Sequence, residues 1–274
     1  MNRRKKLKIL IKKYLRNFKA RFSVKPFRLG NLDTFRLSLL PRKQLTSAKL
    51  NKHKIWLTDP YWFILNHQEI FEEEIYKFIP KRPDPFILDC GSNIGLSIIY
   101  FKHLYPEAQI VGFEPDPNIF EVLTQNLRAY NFQDVELLQK AVWVNETVLL
   151  FHQDGSLGGK IVDTSSDSNV IEVQATRLKE YLNQPIDFLK IDIEGAEYDV
   201  LVDCKEKLDC VDYLFVEYHG QTNETQKLHT ILEIISSAGF RYHIKEANPV
   251  HHPFIADERG RTYDLQLNIF GFRD

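Results

Sequence analysis

Short apolar runs alternate with amphipathic stretches along most of the chain, and from residue 86 onward the order is regular. Residues 86–88, 109–113, 135–138, 186–191 and 213–217 are apolar and of strand length, whereas 94–104, 118–130, 196–207 and 224–238 carry helical spacing. Strands alternating with helices of this size predict an α/β fold built on a doubly wound, mostly parallel seven-stranded sheet with helices on both faces. Residues 241–244 and 265–270 supply a closing antiparallel pair. The helix over 224–238 has a cap candidate in Thr222 or Asn223 and a stop at Gly239.

Upstream signals are weaker. Ile55-Trp-Leu57 predicts a short strand before a turn at Asp59-Pro60. Residues 68–79 predict a helix with Ile70, Ile75 and Phe78 inward and Glu69, Glu72, Glu73 and Glu74 outward, ended by Pro80, Pro83 and Pro85. Between 138 and 186 lies an insertion. Residues 142–151 and 170–175 resemble strands, and the polar segments 154–160 and 164–169 read as surface loops or a cover over a site. The expected division is a basic N-terminal helix and lead-in over 1–67, then a nucleotide-binding domain over 68–274.

A composition of 43% hydrophobic and 27% charged residues suits a well-packed globular chain, and 274 residues suffice for one large α/β domain with additions. The net charge of -1 conceals an asymmetry. Residues 1–30 hold 12 Lys or Arg and no acid, while the rest carries 24 basic against 37 acidic residues. Leu7, Leu10, Ile11, Leu15 and Phe18 share a helical stripe, so residues 1–22 read as a basic amphipathic helix. It either packs on the rest of the chain or a partner subunit, or lies on an anionic membrane. Its apolar stretches are too short to span a bilayer and too interrupted for a signal-peptide core. Nucleic acid is not an expected partner, because the body is acidic and no reading motif accompanies the lysines. Cys90, Cys204 and Cys210 have no metal spacing and are expected as free thiols, which matches a reducing, cytoplasmic location with peripheral membrane association left open. The oligomeric state is not legible.

Candidate chemistry gathers where the apolar runs end. Asp89, Glu114, Asp192 and Glu217 stand at or just beyond four of them, the rim on which an open parallel sheet forms its ligand crevice. The first run leads into Asp89-Cys-Gly-Ser-Asn-Ile-Gly95 and the second into Glu114-Pro-Asp116. That order places the Glu114 carboxylate to take the two hydroxyls of a ribose. Asn93 and Leu96 replace the second and third glycines of a G-x-G-x-x-G dinucleotide turn, so close backbone approach to a pyrophosphate is lost. Asp89 would repel a pyrophosphate but suits the ammonium group of S-adenosylmethionine (AdoMet). AdoMet is therefore the expected cofactor, with Asp89, Gly91, Ser92, Asn93, Gly95, Glu114, Pro115 and Asp192 as its candidate binding residues.

The second informative segment is Ile186-Asp-Phe-Leu-Lys-Ile-Asp-Ile-Glu-Gly-Ala-Glu197. Strand alternation puts Phe188, Lys190 and Asp192 on one side and Leu189, Ile191 and Ile193 on the other. Lys190 there needs an acidic partner, either Asp192 or Glu194. Gly195 permits a turn into the next helix. If the strand after residue 213 continues, His219 falls on the same side as Glu217.

These segments resemble the FkbM family of AdoMet-dependent methyltransferases, within the class I, Rossmann-like methyltransferase fold. The likeness rests on Leu88-Asp-Cys-Gly-Ser-Asn-Ile-Gly95, Val111-Gly-Phe-Glu-Pro-Asp116 and, most specifically, Asp187-Phe-Leu-Lys-Ile-Asp-Ile-Glu-Gly-Ala-Glu197, with Val216-Glu-Tyr-His219 also similar. It covers about residues 68–240 and leaves out the basic N-terminal helix. It implies O-methylation of a hydroxyl on a sugar, glycan or small metabolite. Asp192-Ile-Glu-Gly195 stands where nitrogen methyltransferases of the wider class carry Asp/Asn-Pro-Pro-Phe/Tyr, which disfavours a nitrogen acceptor. Asp192, Glu194, Glu217, Lys190 and His219 are the catalytic candidates, with His219 the first choice of general base by its intrinsic pKa. A divalent metal held by Asp192, Glu217 and His219 is a second route to an activated hydroxyl, although their spacing does not demand one. His251 and His252 read as loop residues. A noncatalytic AdoMet- or nucleotide-sensing module is the alternative from a different class.

Overall fold

The computed structural model describes residues 27, 29–156, 158–162, 164, 168–222, 224–249, 254 and 263–273. The predicted basic helix over 1–22, Asn223, His251 and His252 lie outside the described residues.

Seven strands form the main sheet: β3 (Phe86–Cys90), β4 (Gln109–Phe113), β5 (Val135–Leu138), β10 (Ile186–Ile191), β11 (Val211–Gln221), β12 (Arg241–Glu246) and β13 (Tyr263–Phe272). Their order across the sheet is β12-β13-β11-β10-β3-β4-β5. From β11 to β5 every pairing is parallel, and β13 joins β11 and β12 antiparallel, as expected of the closing pair. Four helices, α3 (Leu96–Leu104), α4 (Pro117–Tyr130), α5 (Glu197–Cys204) and α6 (Leu228–Ser237), lie between these strands.

Period-two alternation sorts the apolar side chains onto two faces. Ile87, Phe188 and Phe215 join α3 and α4 residues such as Phe101 and Leu123 in one cluster. Leu88, Leu189, Ile191 and Val216 join Val200, Leu201, Ile231 and Ile235 of α5 and α6 in the other. A sheet buried on both faces reads as continuous apolar runs, which is why its strands were legible. Cys90, Cys204 and Cys210 are free thiols.

The insertion forms a separate four-stranded sheet from β6 (Ala141–Trp143), β7 (Thr147–His152), β8 (Lys160–Ile161) and β9 (Val170–Arg177), in the order β6-β9-β7-β8. The α6 helix starts at Leu228 after Lys227, without a side-chain cap, so Thr222 does not cap it.

The segment before β3 departs most from expectation. A short helix, α1 (Asn31–Ser38), precedes a hairpin of β1 (Thr46–Leu50) and β2 (His53–Leu57), so Ile55-Trp-Leu57 pairs with a strand the sequence did not announce. Asp59-Pro60 is a helix start instead of a turn: Asp59 accepts from the Tyr61 and Trp62 N–H groups, and Pro60 opens α2 (Pro60–His67). The helix predicted over 68–79 is only the π-helical turn Gln68–Glu72, after which Glu74 adopts φ 55° and ends it. Packing decides this. Tyr76 meets Phe101 and Phe215, and Phe78 meets Phe188, contacts that draw the chain across the sheet. Leu50, Ile55, Leu57 and Phe63 share the apolar cluster of Ile87 and Leu123.

Candidate active site

The turn after β3 is shaped by its neighbours. Gly91 has φ 86°, and a Cβ there would lie 1.8 Å from the Asp192 carbonyl oxygen, so no larger residue fits. The N–H groups of Gly91 and Ser92 both donate to the Phe113 carbonyl, and the Asp192 N–H donates to that of Cys90 at 3.1 Å. Three strand ends are thereby locked together. Asn93 continues the turn at φ 45° and donates its N–H to Glu114 Oε2 at 2.9 Å, while the Asp116 N–H donates to Glu114 Oε1 at 3.0 Å. Burial pushes Glu114 up to about 8 despite those two backbone donors.

A cavity opens above this turn, walled by Gly91, Asn93, Glu114, Pro115, Asp192 and Glu194. Its far wall includes Phe151 and Ile161 of the inserted sheet and Ser156 of the loop between β7 and β8. Asn93 Nδ2 donates to the Ser156 carbonyl, and Gln153 Nε2 donates to Asp116 Oδ1, so the segment following β7 leans onto the turn. Asp154, Gly155, Ser156 and Gly159, from the polar segment read as a surface loop or a cover, stand on the wall; what the motif pattern did not signal is Asp116 as both cap of α4 and partner of Gln153. The residues on the wall fit AdoMet in kind. Both Glu114 oxygens keep a lone pair beyond their backbone bond for ribose hydroxyls, and the glycine leaves room at the turn.

Asp89, Ser92, Gly95 and Lys190 are not on that wall. Asp89 is fully buried, accepts from Ser97 Oγ at 2.6 Å and lies 3.4 Å from Lys190 Nζ, so it pairs inside the protein. Ser92 Oγ donates to the Asp89 carbonyl. Gly95, at φ 91°, lets α3 start against Leu123. The parallel register sets Lys190 beside Asp89, and its ammonium also meets Asp192 Oδ2 at 3.1 Å and donates to the Gly91 carbonyl at 2.9 Å. Burial opposes its charge, yet Asp192 and Asp89 hold Lys190 well above the usual lysine range. Lys190 thus orients Asp192 and pins the glycine turn from below, and the partner question resolves to Asp192 with Asp89 instead of Glu194.

Beside Asp192 a second cluster forms where β10 and β11 end. Glu194 takes φ 56° and Gly195 φ 109°. Glu197, buried at the start of α5, accepts from the Ile193 and Gly195 N–H groups and contacts His219 Nδ1 at 3.0 Å. His219 Nε2 lies 3.6 Å from both Glu194 and Glu217. Burial opposes a charged ring, but Glu194, Glu197 and Glu217 together hold His219 well above the usual histidine range. The Tyr263 hydroxyl donates to Glu194 Oε2 at 2.9 Å, and its ring packs on His219.

Burial raises Glu194 to about 7, against the pull of His219, and raises Glu217 to about 8, with Asp192 adding to the effect. Glu69, expected to point outward from a helix, is turned inward by the π-helical turn, and burial raises it too. Asp192, Glu194 and His219 each place one ligand atom within 4.8 Å of the others, a set open to a divalent cation in which Glu194 takes the place expected for Glu217.

Residues 89–242 match the family described as the methyltransferase FkbM domain, more than half of the chain. The chain belongs to the FkbM methyltransferase family. It is an AdoMet-dependent methyltransferase, and several relatives are named as methyltransferases. Methyltransferase 1 of Beauveria bassiana is 29% identical over 223 residues, spanning 68% of this chain and 88% of that protein. The 2-O-methyltransferase NoeI of Sinorhizobium fredii is 28% identical over 57% of this chain and 73% of its own length. The hexuronic acid methyltransferase AglP of Haloferax volcanii is 24% identical over 54% of this chain and 63% of its own. Within the FkbM methyltransferase described here, the family match spans both the glycine turn and the cluster at Asp192–His219. Family membership replaces the noncatalytic sensing module with an enzyme.

Proposed function

We propose that this methyltransferase acts on oxygen, methylating a hydroxyl of a sugar, glycan or small polyhydroxylated metabolite. The observation that carries the reading is the Asp192 and Glu194 pair on the cavity wall beside the glycine turn, with Glu194 at about 7. An alcohol is a poor nucleophile and must lose its proton as the new C–O bond forms. A carboxyl group near 7 suits that proton transfer at neutral pH. Glu194 therefore takes the part of general base first expected of His219, because an imidazole already protonated has no lone pair to offer. His219 and the Tyr263 hydroxyl hold Glu194 in position, and Glu217 lines up behind them.

Bound AdoMet supplies an electrophilic methyl group on a sulfonium centre that becomes neutral on transfer. Glu114 holds the ribose hydroxyls, Gly91, Asn93 and Pro115 shape the cofactor side, and Asp192 orients the acceptor hydroxyl. Asp89 and Lys190 act from beneath the floor, and Ser92 and Gly95 keep the turn in shape. Glu194 receives the hydroxyl proton while the alignment of acceptor and methyl group is held by the surrounding wall. In this reading the catalytic unit is residues 68–274 together with the hairpin and α2, whose Leu50, Ile55, Leu57 and Phe63 share its core. The names of two relatives, a 2-O-methyltransferase and a hexuronic acid methyltransferase, support a sugar hydroxyl as acceptor.

The test presents methyl-labelled AdoMet with sugars, uronic acids and hydroxylated metabolites and locates the label by NMR. A methyl ether is expected; transfer to nitrogen alone overturns the reading. The proximity of Asp192, Glu194 and His219 also favours a second reading, in which a divalent cation acidifies the hydroxyl. His219 would then have to release its proton to become a ligand. Activity lost on chelation and restored by a divalent ion selects that reading over direct proton transfer to Glu194.

A further inference from the structure

The chain's net positive charge is gathered in its first 58 residues, apart in sequence from the carboxylates of the active site. Residues 1–58 contain 18 Lys or Arg and a single acid, Asp33, whereas the following 216 residues carry 18 basic and 36 acidic. The described part of this basic end also exposes an apolar stripe. Leu32, Phe35 and Leu39, at the i, i+3 and i+7 positions of α1 and its C-cap, are 86%, 64% and 68% exposed, while Leu37 on the inner side is buried. Leu45, also in this basic end, is 60% exposed. Arg36, Arg42 and Lys43 are exposed alongside, and Arg36 donates to the Ser47 carbonyl, which ties α1 to the hairpin.

Apolar side chains on a helix face among cations, on a chain whose other end is acidic, match the chemistry of an anionic bilayer surface. The apolar groups enter at headgroup depth and the cations meet lipid phosphates. The sequence before α1 repeats the pattern: Leu7, Leu10, Ile11, Leu15 and Phe18 fall at helical spacing among lysines and arginines. Among the described residues no helix is long and apolar enough to cross a membrane, so the contact is peripheral.

We propose that the Leu32–Phe35–Leu39 stripe of α1, with the cations around it, docks this enzyme on an anionic phospholipid membrane. The docking surface is joined to the active site. Lys43 forms an ion pair with Asp154, and Asp154 lies on the cavity wall. Docking therefore sets the cavity near the lipid surface, whatever the acceptor's identity.

The experiment is co-sedimentation of the full chain with vesicles of phosphatidylcholine alone and of phosphatidylcholine mixed with phosphatidylglycerol, at low and high salt. The full chain is expected to bind the mixed vesicles only, less tightly as salt rises. The triple variant Leu32→Ser, Phe35→Ser, Leu39→Ser should lose about tenfold or more in vesicle affinity. Its melting temperature and AdoMet affinity should stay at wild-type values, because these side chains face solvent. Wild-type vesicle binding by the triple variant, or no binding by the full chain, overturns the proposal. So does a dimer seen by light scattering that the triple variant abolishes, which would assign the stripe to a second copy. A large fall in the variant's melting temperature would assign the stripe to the chain's own packing and overturn it equally.

Discussion

The glycine turn after β3 and the carboxylate–imidazole cluster at the ends of β10 and β11 meet at Asp192, yet they are held in opposite ways. In the turn, main chain holds main chain: Gly91 and Ser92 share the Phe113 carbonyl, and the one carboxylate, Glu114, is gripped by two backbone N–H groups. In the cluster, side-chain charges hold one another, with His219 among three glutamates and Lys190 between two aspartates. A backbone cradle keeps its shape when a side chain changes. A charge cluster does not, and its groups sit where protons are easily moved.

The sharpest break of the comparison is Glu194→Gln. It keeps the shape and removes the base, so turnover should fall by about 10²–10⁴-fold with AdoMet affinity near wild type. Single-turnover kinetics with the best acceptor decide it, and a mutant rate near wild type removes Glu194 from the proposed role. Lys190→Met comes next. It leaves Asp89 and Asp192 without their shared buried cation, and unfolding by urea should show a loss of about 3–5 kcal/mol. A loss below about 1 kcal/mol would mean that the two aspartates are satisfied without it.

Glu114→Ala probes the other region. It should weaken AdoMet binding by about 1.5–3 kcal/mol in calorimetry, while folding changes less than in Lys190→Met, because a backbone cradle survives loss of its side chain. Unchanged affinity would place the ribose elsewhere.

A last expected effect is a slope with pH. Glu194 at about 7 and Glu217 at about 8 bind protons more readily folded than unfolded, and His219 is raised as well. The folded state therefore holds more protons between about pH 4.5 and 8, and stability should decline as pH rises through that window. Glu114, at about 8, adds to it from the cofactor side. Melting curves for Glu194→Gln with Glu217→Gln should be flatter over this range than those of wild type. An equally steep curve would locate the titration outside the cluster.

Legibility differed between the two regions for a related reason. Residues 86–95 and 109–116 announce themselves because a glycine at φ 86° and an acid after an apolar strand are local requirements. Lys190 needed an acid by its burial in a strand, but which acid depended on the parallel register that sets it beside Asp89. His219 was placed beside Glu217 by alternation, whereas Glu197, from the start of α5, reaches its other nitrogen only in the folded chain. Residues 60–72 misled because the apolar positions of 68–79 mimic a helix, while the helix itself begins at the Asp59 cap and ends where Glu74 reverses.

Local pattern alone determined the strand and helix order of the main sheet from residue 86 onward, the glycine turn, the acids at the strand ends and the family, since each depends on residues close together along the chain. Tertiary structure alone decided which acid pairs with Lys190, that Asp89 is turned away from the cavity, that the inserted sheet walls it, and that His219 is held as a cation. Those outcomes depend on burial and on charges brought together from distant positions, and neither quantity exists until the sheet has closed.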